Sequence, residues 1–446
     1  MATNFDTRRL VGAEPLQRRV AGNGALEDGW RAGYVAAMTS ASDSSAPTVT
    51  AVETLHADAG WRNYHFCKIS TDVGIVGWSE FDEGFGSPGV STVIEALAGR
   101  VVGKSVNDHE RVYTELFAAT RPGAGSVVGQ GIGAIENALL DAKAKGFGVP
   151  VYDLLGGRQR DKIRVYWSHC GTWRIAQHRF YGNRITDLAG IKALGEEVRD
   201  SGFTALKTNI FTMWDGVLRS WAPGFGRPWN PELNPEPLVL KGLHDVLAAF
   251  RDGAGPDVGI LLDLNFNFRT AGVLEILRML ADFDLFWLEY DNDSPQALRM
   301  IRDQANTQIA SLETLIGLPR FNPYFAAEAV DVAIIDAVWN GTWQAMKIAA
   351  SAAGHEVQVA PHNFYGHLST MMSAHFATAV PNLRIMETDI DRIPWDDEIF
   401  TEVPNIVDGH LIVSDRPGWG TEPNEEALAH HPPKAGPGFL VSRRGS

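Results

Sequence analysis

The feature that most constrains the fold is a series of eight short apolar segments in the second half of the chain. They read KIRVYWSH, FTALKTNI, GILLDLNF, LFWLEY, QIASLE, VAIID, VQVAPH and LRIMET, with helical stretches between most of them. From Asp263 to Glu387, the polar residues that end successive strands follow at steps of about 25 residues, a normal length for one strand and one helix. This alternation predicts a closed parallel α/β barrel rather than an open sheet.

Three of the segments end in an acid, and the acids point to a metal. A buried carboxylate is costly without a positive partner, yet Asp263 ends the apolar segment GILLDLNF. Glu289 and Glu313 end the next two strands, so three like charges would share one barrel mouth and repel one another unless a cation binds between them. Oxygen-only ligands suit Mg²⁺ rather than Zn²⁺. We therefore predict Mg²⁺ at these acids, although any one alone could be a salt-bridge partner.

The next two strands end in Asp336 and His362. An Asp beside a His fixes the imidazole tautomer and raises its basicity, so this pair is predicted to transfer protons. A lone His is more often a core residue, and the register with the acids favours the catalytic interpretation. His367 is the other candidate, but it comes later in the loop and fits the strand-end pattern less well.

The second and last strands supply further polar residues. Lys207 could stabilise negative charge on a substrate or act as a base if its pKa falls. Glu387 could accept a hydrogen bond from the substrate, or could be a structural partner of a nearby cation. The predicted substrate contacts are Asn209, Asn265, Asn363 and Trp214. Trp214 belongs to a Trp-, Pro- and Gly-rich insertion after the second strand, which is either a surface loop or a wall of the pocket.

The residues before the barrel form a separate α+β unit with a predicted hairpin and several helices. We place its bounds at 49–160, the barrel at 161–400 and a C-terminal segment at 401–446. Residues 1–48 are predicted to be a flexible or subunit-contacting extension, because their acids and the absence of an apolar stretch count against a targeting segment.

The composition of the chain argues against several classes of binding partner. A net charge of −15 argues against nucleic acid and anionic membrane, and no apolar run is long enough to span a bilayer. The two cysteines, Cys67 and Cys170, exclude a disulfide framework and a thiolate metal cluster. We expect a cytoplasmic homo-oligomer acting on a small-molecule carboxylate.

From Val49 to near Leu428 the chain resembles the mandelate racemase branch of the enolase superfamily. The resemblance rests on GAIENALLDAKAKGFGVPVYDLLGG before the barrel, the Asp–Glu–Glu series, DVAIID with NG, PH on the next strand, and DRPGWGTEPNEEAL near the end. It implies an α+β capping domain over a modified (β/α)₇β TIM-type barrel. It also implies Mg²⁺ on the three acids, a carboxylate substrate that binds the metal, and loss of the α-proton to form an enediolate.

One departure from the family decides between reactions. Many members carry Lys-x-Lys on the second strand, where this chain has Lys207, Thr208 and Asn209, so the second base is missing. Racemisation needs proton-transfer groups on both faces of the α-carbon, whereas β-elimination needs one base and an acid for the departing hydroxyl. We therefore expect an acid-sugar dehydratase that gives a 2-keto-3-deoxy acid.

The alternatives are an epimerase, racemase or cycloisomerase that uses the same intermediate, and a non-catalytic relative. A metal-dependent hydrolase barrel is disfavoured, because its first strand would need more than the single His of VYWSHC.

Overall fold

The computed structural model describes residues 46–84, 87–225 and 233–435. The prediction for residues 1–48 therefore lies almost wholly outside the described residues. Within them, none of the helices is long and apolar enough to cross a bilayer.

The capping domain comes first and is built on an antiparallel sheet whose three strands pair in chain order. Its strands are β1 Val49–Ala59, β2 Arg62–Thr71 and β3 Val76–Phe81. Its helices are α1 Val90–Val101, α2 His109–Ala119, α3 Val127–Phe147 and α4 Val151–Leu154. Two-sided burial of α3 between the sheet and the barrel explains why its sequence is apolar on most faces.

The polar residues of α3 are buried and hold the domains together. Glu136 accepts hydrogen bonds from the backbone N–H of Trp343 and the side chain of Gln344, both in the barrel. Asp141 accepts from the backbone N–H groups of Trp78 in β3 and Trp419 in the C-terminal segment. The acids in GAIENALLDAKAKGF thus satisfy backbone donors that would otherwise be buried without partners.

The barrel follows as the sequence predicts, with eight parallel strands. They are β4 Lys162–Ser168, β5 Ala205–Thr208, β8 Gly259–Asp263, β9 Trp287–Glu289, β10 Ile309–Ser311, β11 Val332–Ile335, β12 Gln358–Pro361 and β13 Met386–Asp389. The numbering skips a hairpin in the insertion, formed by β6 Phe211–Trp214 and β7 Val217–Ser220. Parallel pairing of β13 with β4, and a bridge between Val359 and Leu383, close the circle.

Helices cover the outside of the barrel. They are α5 Thr172–Ala176, α6 Leu188–Asp200, α7 Pro237–Ala254, α8 Thr270–Met279, α9 Pro295–Gln304, α10 Leu318–Ala326, α11 Ala337–Asn340, α12 Thr342–Gly354 and α13 His367–Ala379. Each of the first seven barrel strands is followed by helix, and the eighth leads to the C-terminal segment, which is the (β/α)₇β order. The inward side chains fill the barrel as a closed core, with Tyr166, Leu261, Trp287, Val332 and Ile334 fully buried.

The C-terminal segment contains β14 Ile406–Val407, β15 His410–Ile412 and α14 Glu425–His430. Strand β15 pairs antiparallel with the start of β4. Between β15 and α14 lies Trp419, whose indole N–H donates to the carbonyl of Trp78 and whose own carbonyl accepts from the ring of His375 in α13. A single buried residue therefore contacts the capping sheet and a barrel helix.

Candidate active site

The carboxyl ends of the barrel strands surround a cavity of about 670 Å³, counted to its open mouth, which suits a small ligand. Seven of the predicted site residues line it: Lys207, Asn209, Asp263, Asn265, Glu313, His362 and Glu387. A wider cleft lies at the opposite ends of the strands, near Arg164 and Arg384, and none of the predicted site residues lines it. Only the smaller cavity combines acids, a lysine and imidazoles at the strand ends that carry chemistry in this fold.

His362 is held by Asp336. The Nδ1 of His362 lies 2.7 Å from the Oδ2 of Asp336, which also accepts from the hydroxyl of Tyr365 at 2.6 Å. The other oxygen of Asp336 accepts from the backbone N–H of Trp339. Because Nδ1 carries the proton donated to Asp336, Nε2 is the nitrogen left for chemistry. Burial would lower the pKa of His362, but the carboxylates of Glu313 and Asp336 raise it to about 10.

Lys207 lies among the acids as a buried ammonium. Its Nζ is 2.9 Å from Glu387, 3.0 Å from Glu289 and 3.9 Å from Asp263. Burial disfavours the charge, but these carboxylates outweigh it and raise the pKa of Lys207 well above its ordinary value. Lys207 therefore carries a fixed positive charge here.

The three predicted metal ligands are buried, and burial raises the pKa of each of them, to about 7 for Glu289. Asp263 accepts hydrogen bonds from the side chains of Asn209 and Asn265, at 3.2 and 3.0 Å. Glu289 hydrogen-bonds Lys207 and the indole of Trp287, and it is not among the residues that line the cavity. The cations near this group are Lys207 and His362, whose Nε2 lies 3.6 Å from the Oε2 of Glu313.

The fit to Mg²⁺ is good in residue type and charge but incomplete in distance. Carboxylate oxygens on adjacent strands are the donors that Mg²⁺ prefers, and Asp263 pairs in register with Glu289. Their oxygens and those of Glu313 do not all lie within 4.8 Å of one another, however. The contact of Lys207 with Glu289 explains part of this spacing, and an ion shared by all three acids requires rotation of their side chains.

The one described group of three such ligands that does meet this distance lies in the capping domain: His56, His65 and Glu83. The Nδ1 atoms of both histidines and the carboxylate of Glu83 already have hydrogen-bond partners. The two histidine Nδ1 atoms share a hydrogen bond of 2.7 Å, and Glu83 accepts three hydrogen bonds from Gly89 and Ser91 at the start of α1.

Two of the predicted substrate contacts, Trp214 and Asn363, lie off the cavity. Trp214 is half exposed on the hairpin and does not line the cavity. The side chain of Asn363 is buried against Ser369 and Thr370, and its backbone N–H donates to Glu387, so it supports the site rather than facing the substrate. The alternative histidine, His367, also lies off the cavity and pairs with Asp397.

The insertion nevertheless forms a cavity wall, through Trp221 and Phe225 in its described part. Trp61, in the turn between β1 and β2, lines the cavity from the capping domain.

The sequence analysis missed His169, which follows β4 and lines the cavity beside Trp173 and Phe364. The signal was present, because His169 stands at a strand end like the predicted residues. It had been considered only as a metal ligand.

Comparisons with known proteins match two family models and several relatives. The chain matches the family model described as "Enolase C-terminal domain-like" over residues 191–427. It matches the "Mandelate racemase / muconate lactonizing enzyme, N-terminal domain" over residues 35–156. A "D-galactonate dehydratase family member" of Streptomyces bingchenggensis is 27% identical, covering 89% of this chain and 96% of the relative. A "D-xylonate dehydratase" of Haloferax volcanii is also 27% identical, covering 86% and 88%.

A solved structure is more similar. It comes from Burkholderia xenovorans strain LB400, is named provisionally as an L-alanine-DL-glutamate epimerase, and is bound to magnesium and fumarate. The two chains are 60% identical, the match covers 90% of this chain and all of the other, and the TM-score is 0.88.

Proposed function

Because this chain belongs to the mandelate racemase branch of the enolase superfamily, whose members use Mg²⁺, we propose that it is a dehydratase of an acid sugar. The substrate would be an aldonate or aldarate and the product a 2-keto-3-deoxy acid. The dehydratase names of the two curated relatives support this choice.

The observation that carries the proposal is the amide of Asn209, which stands after β5 where a second base would be needed for inversion. Asp336 positions His362 through Nδ1, and Nε2 lies 3.6 Å from Glu313. Mg²⁺ held by that carboxylate would weaken the attraction that raises the pKa of His362 and would let Nε2 accept the proton of the substrate. The position of a second base on β5 is instead taken by Asn209, whose amide is fixed by Thr172 at 2.7 Å and by Asp263 at 3.2 Å. An amide does not accept the proton, so α-carbon inversion through this position is disfavoured.

Each residue then has a definite task. His362 removes the proton α to the carboxylate, and Asp336 stabilises the imidazolium that forms. Lys207 stays protonated and stabilises the negative charge that builds on the substrate, so we assign it to charge stabilisation rather than to proton removal. Glu387 holds Lys207 in place, and burial against two carboxylates leaves that ammonium little freedom to move.

Asp263, Glu289 and Glu313 would hold Mg²⁺. When bound, the ion supplies positive charge that makes the α-proton of a carboxylate substrate more acidic.

The test is a screen of acid sugars with Mg²⁺, followed by detection of 2-keto acids. We expect the His362→Asn variant to lose at least about 100-fold in turnover, in line with removal of a general base. His367→Asn is the matched control, because it deletes an imidazole a few residues away that lies off the cavity, and it should retain activity. Equal turnover of the parent and His362→Asn would show that the proton is removed by another group.

The name of the Burkholderia structure favours a second candidate, an epimerase. Deuterium incorporation from D₂O into recovered substrate with inversion, and without keto-acid formation, would select it over the dehydratase.

A further inference from the structure

The cavity contains a second His–Asp pair. The Nδ1 of His169 lies 2.9 Å from the Oδ1 of Asp389, which ends β13, the strand that pairs with β4 to close the barrel. Asp389 is buried, and its other oxygen accepts a hydrogen bond from the indole of Trp173 at 3.2 Å. The proposed roles of His362, Lys207 and the acids do not involve this pair.

The imidazole of His169 is fixed in place with one nitrogen unused. Its ring stacks on that of Trp173 at 4.5 Å between centroids, so the same indole orients both members of the pair. The backbone of His169 has φ of 46°, a left-handed conformation that turns the chain sharply out of β4. Nε2 has no hydrogen bond to any described residue, and the side chain lines the cavity. The arrangement repeats that of His362 with Asp336.

The two imidazoles flank one substrate space. The ring of Phe364 contacts both, at 5.1 Å from His362 and 5.8 Å from His169. Glu387 and Asp389 are two residues apart on β13, so both side chains face the barrel interior. Glu387 contacts Lys207, and Asp389 contacts His169. Next to His169, Thr172 holds Asn209 at the position of the missing second base.

We propose that His169, oriented by Asp389, is the acid that protonates the departing β-hydroxyl, with His362 as the base; this inference rests on the proposed function. His362 takes the α-proton, and the C–H electron pair enters the enediolate. As the enediolate collapses, the β C–O bond breaks and the proton on Nε2 of His169 leaves with the oxygen as water. The enol product becomes the 2-keto-3-deoxy acid, and the two imidazoles regain their starting protonation from solvent.

The two proton transfers can be separated experimentally. With the full-length protein, Mg²⁺ and the acid sugar found in the screen, the assay in D₂O records keto-acid formation and deuterium at the α-carbon of recovered substrate. We expect His169→Asn to lose at least about 100-fold in keto-acid formation while still exchanging the α-hydrogen. His362→Asn should lose both. The matched control His178→Asn removes an exposed imidazole from the same region and should change neither.

Asp389→Asn tests the positioning role and covers the case in which His169→Asn does not fold. It should shift the ratio of dehydration to exchange in the same direction, by a smaller factor. Loss of both readouts to the same extent in the folded variants, or loss of neither, would overturn the inference. If the parent itself exchanges the α-hydrogen but forms keto acid from no acid sugar, the proposed function fails instead.

Discussion

The charge balance around Lys207 leads to a stability prediction. Replacing Lys207 by Met removes the cation that lies 2.9 Å from Glu387 and 3.0 Å from Glu289, all three side chains being at most 3% exposed. At an effective dielectric constant of about 20, each such pair contributes about 5 kcal/mol of attraction before desolvation is subtracted. Breaking a buried pair by removing one partner costs about 3–5 kcal/mol. We expect a loss near the lower end, because Glu289, with a pKa of about 7, can take up a proton at little cost.

The assay is chemical unfolding at pH 7, with EDTA or with Mg²⁺. In EDTA, Lys207→Met should be about 3 kcal/mol less stable than the parent, whereas the exposed Lys192→Met should be unchanged. Mg²⁺ should stabilise Lys207→Met more than the parent, because a bound cation replaces the missing charge. If Mg²⁺ stabilises both proteins equally, the ion and Lys207 do not share the same carboxylates, and the assigned metal ligands are wrong.

Three further predictions concern other parts of the chain. Burial lowers the pKa of His375 to about 4, so its contribution to the unfolding free energy is complete above pH 6.5 and is lost as the pH falls toward 4. His375→Gln should reduce this acid-induced loss of stability by at most about 3 kcal/mol, measured by unfolding curves at pH 7 and pH 4.5. Asp141→Ala leaves the buried N–H groups of Trp78 and Trp419 without an acceptor, so it should lower the unfolding free energy by about 3 kcal/mol, with Asp153→Ala on the surface as the control. Trp221→Ala opens the cavity wall and should raise KM for the acid sugar about tenfold or more with a smaller change in kcat; a fall in kcat alone would show that Trp221 does not contact the ground-state substrate.

The barrel could be predicted because its strands are buried on both faces and end in polar residues at a regular spacing. That pattern places Asp263 and His362 at one end of the barrel whatever the details of packing. The pattern does not predict which way the side chains beyond a strand end point, because those residues no longer alternate between the two faces of the strand. Asn363 follows His362 directly and therefore turns away from the cavity.

Contacts between residues distant in the chain could not be predicted from the sequence either. The sequence left open whether the insertion is a surface loop or a wall of the pocket, and whether Trp214 or Trp221 faces the cavity depends on how its hairpin folds back. The contact between Lys207 and Glu289 likewise depends on packing inside the barrel mouth. His169 was within reach of the strand-end pattern, but its partner Asp389 is distant in the chain, and only the closure of the barrel brings them together.

Trp419 has a consequence for the order in which the protein is assembled during translation. The helix that carries Asp141 is synthesised before the barrel, yet Trp419, whose backbone and indole groups contact Asp141, the capping sheet and His375, follows the barrel in the chain. The nascent capping domain therefore lacks the contacts with Trp419 while the whole barrel is synthesised. A chain shortened before Trp419 would carry every residue assigned to the site and still lack these contacts of the capping domain with the rest of the protein.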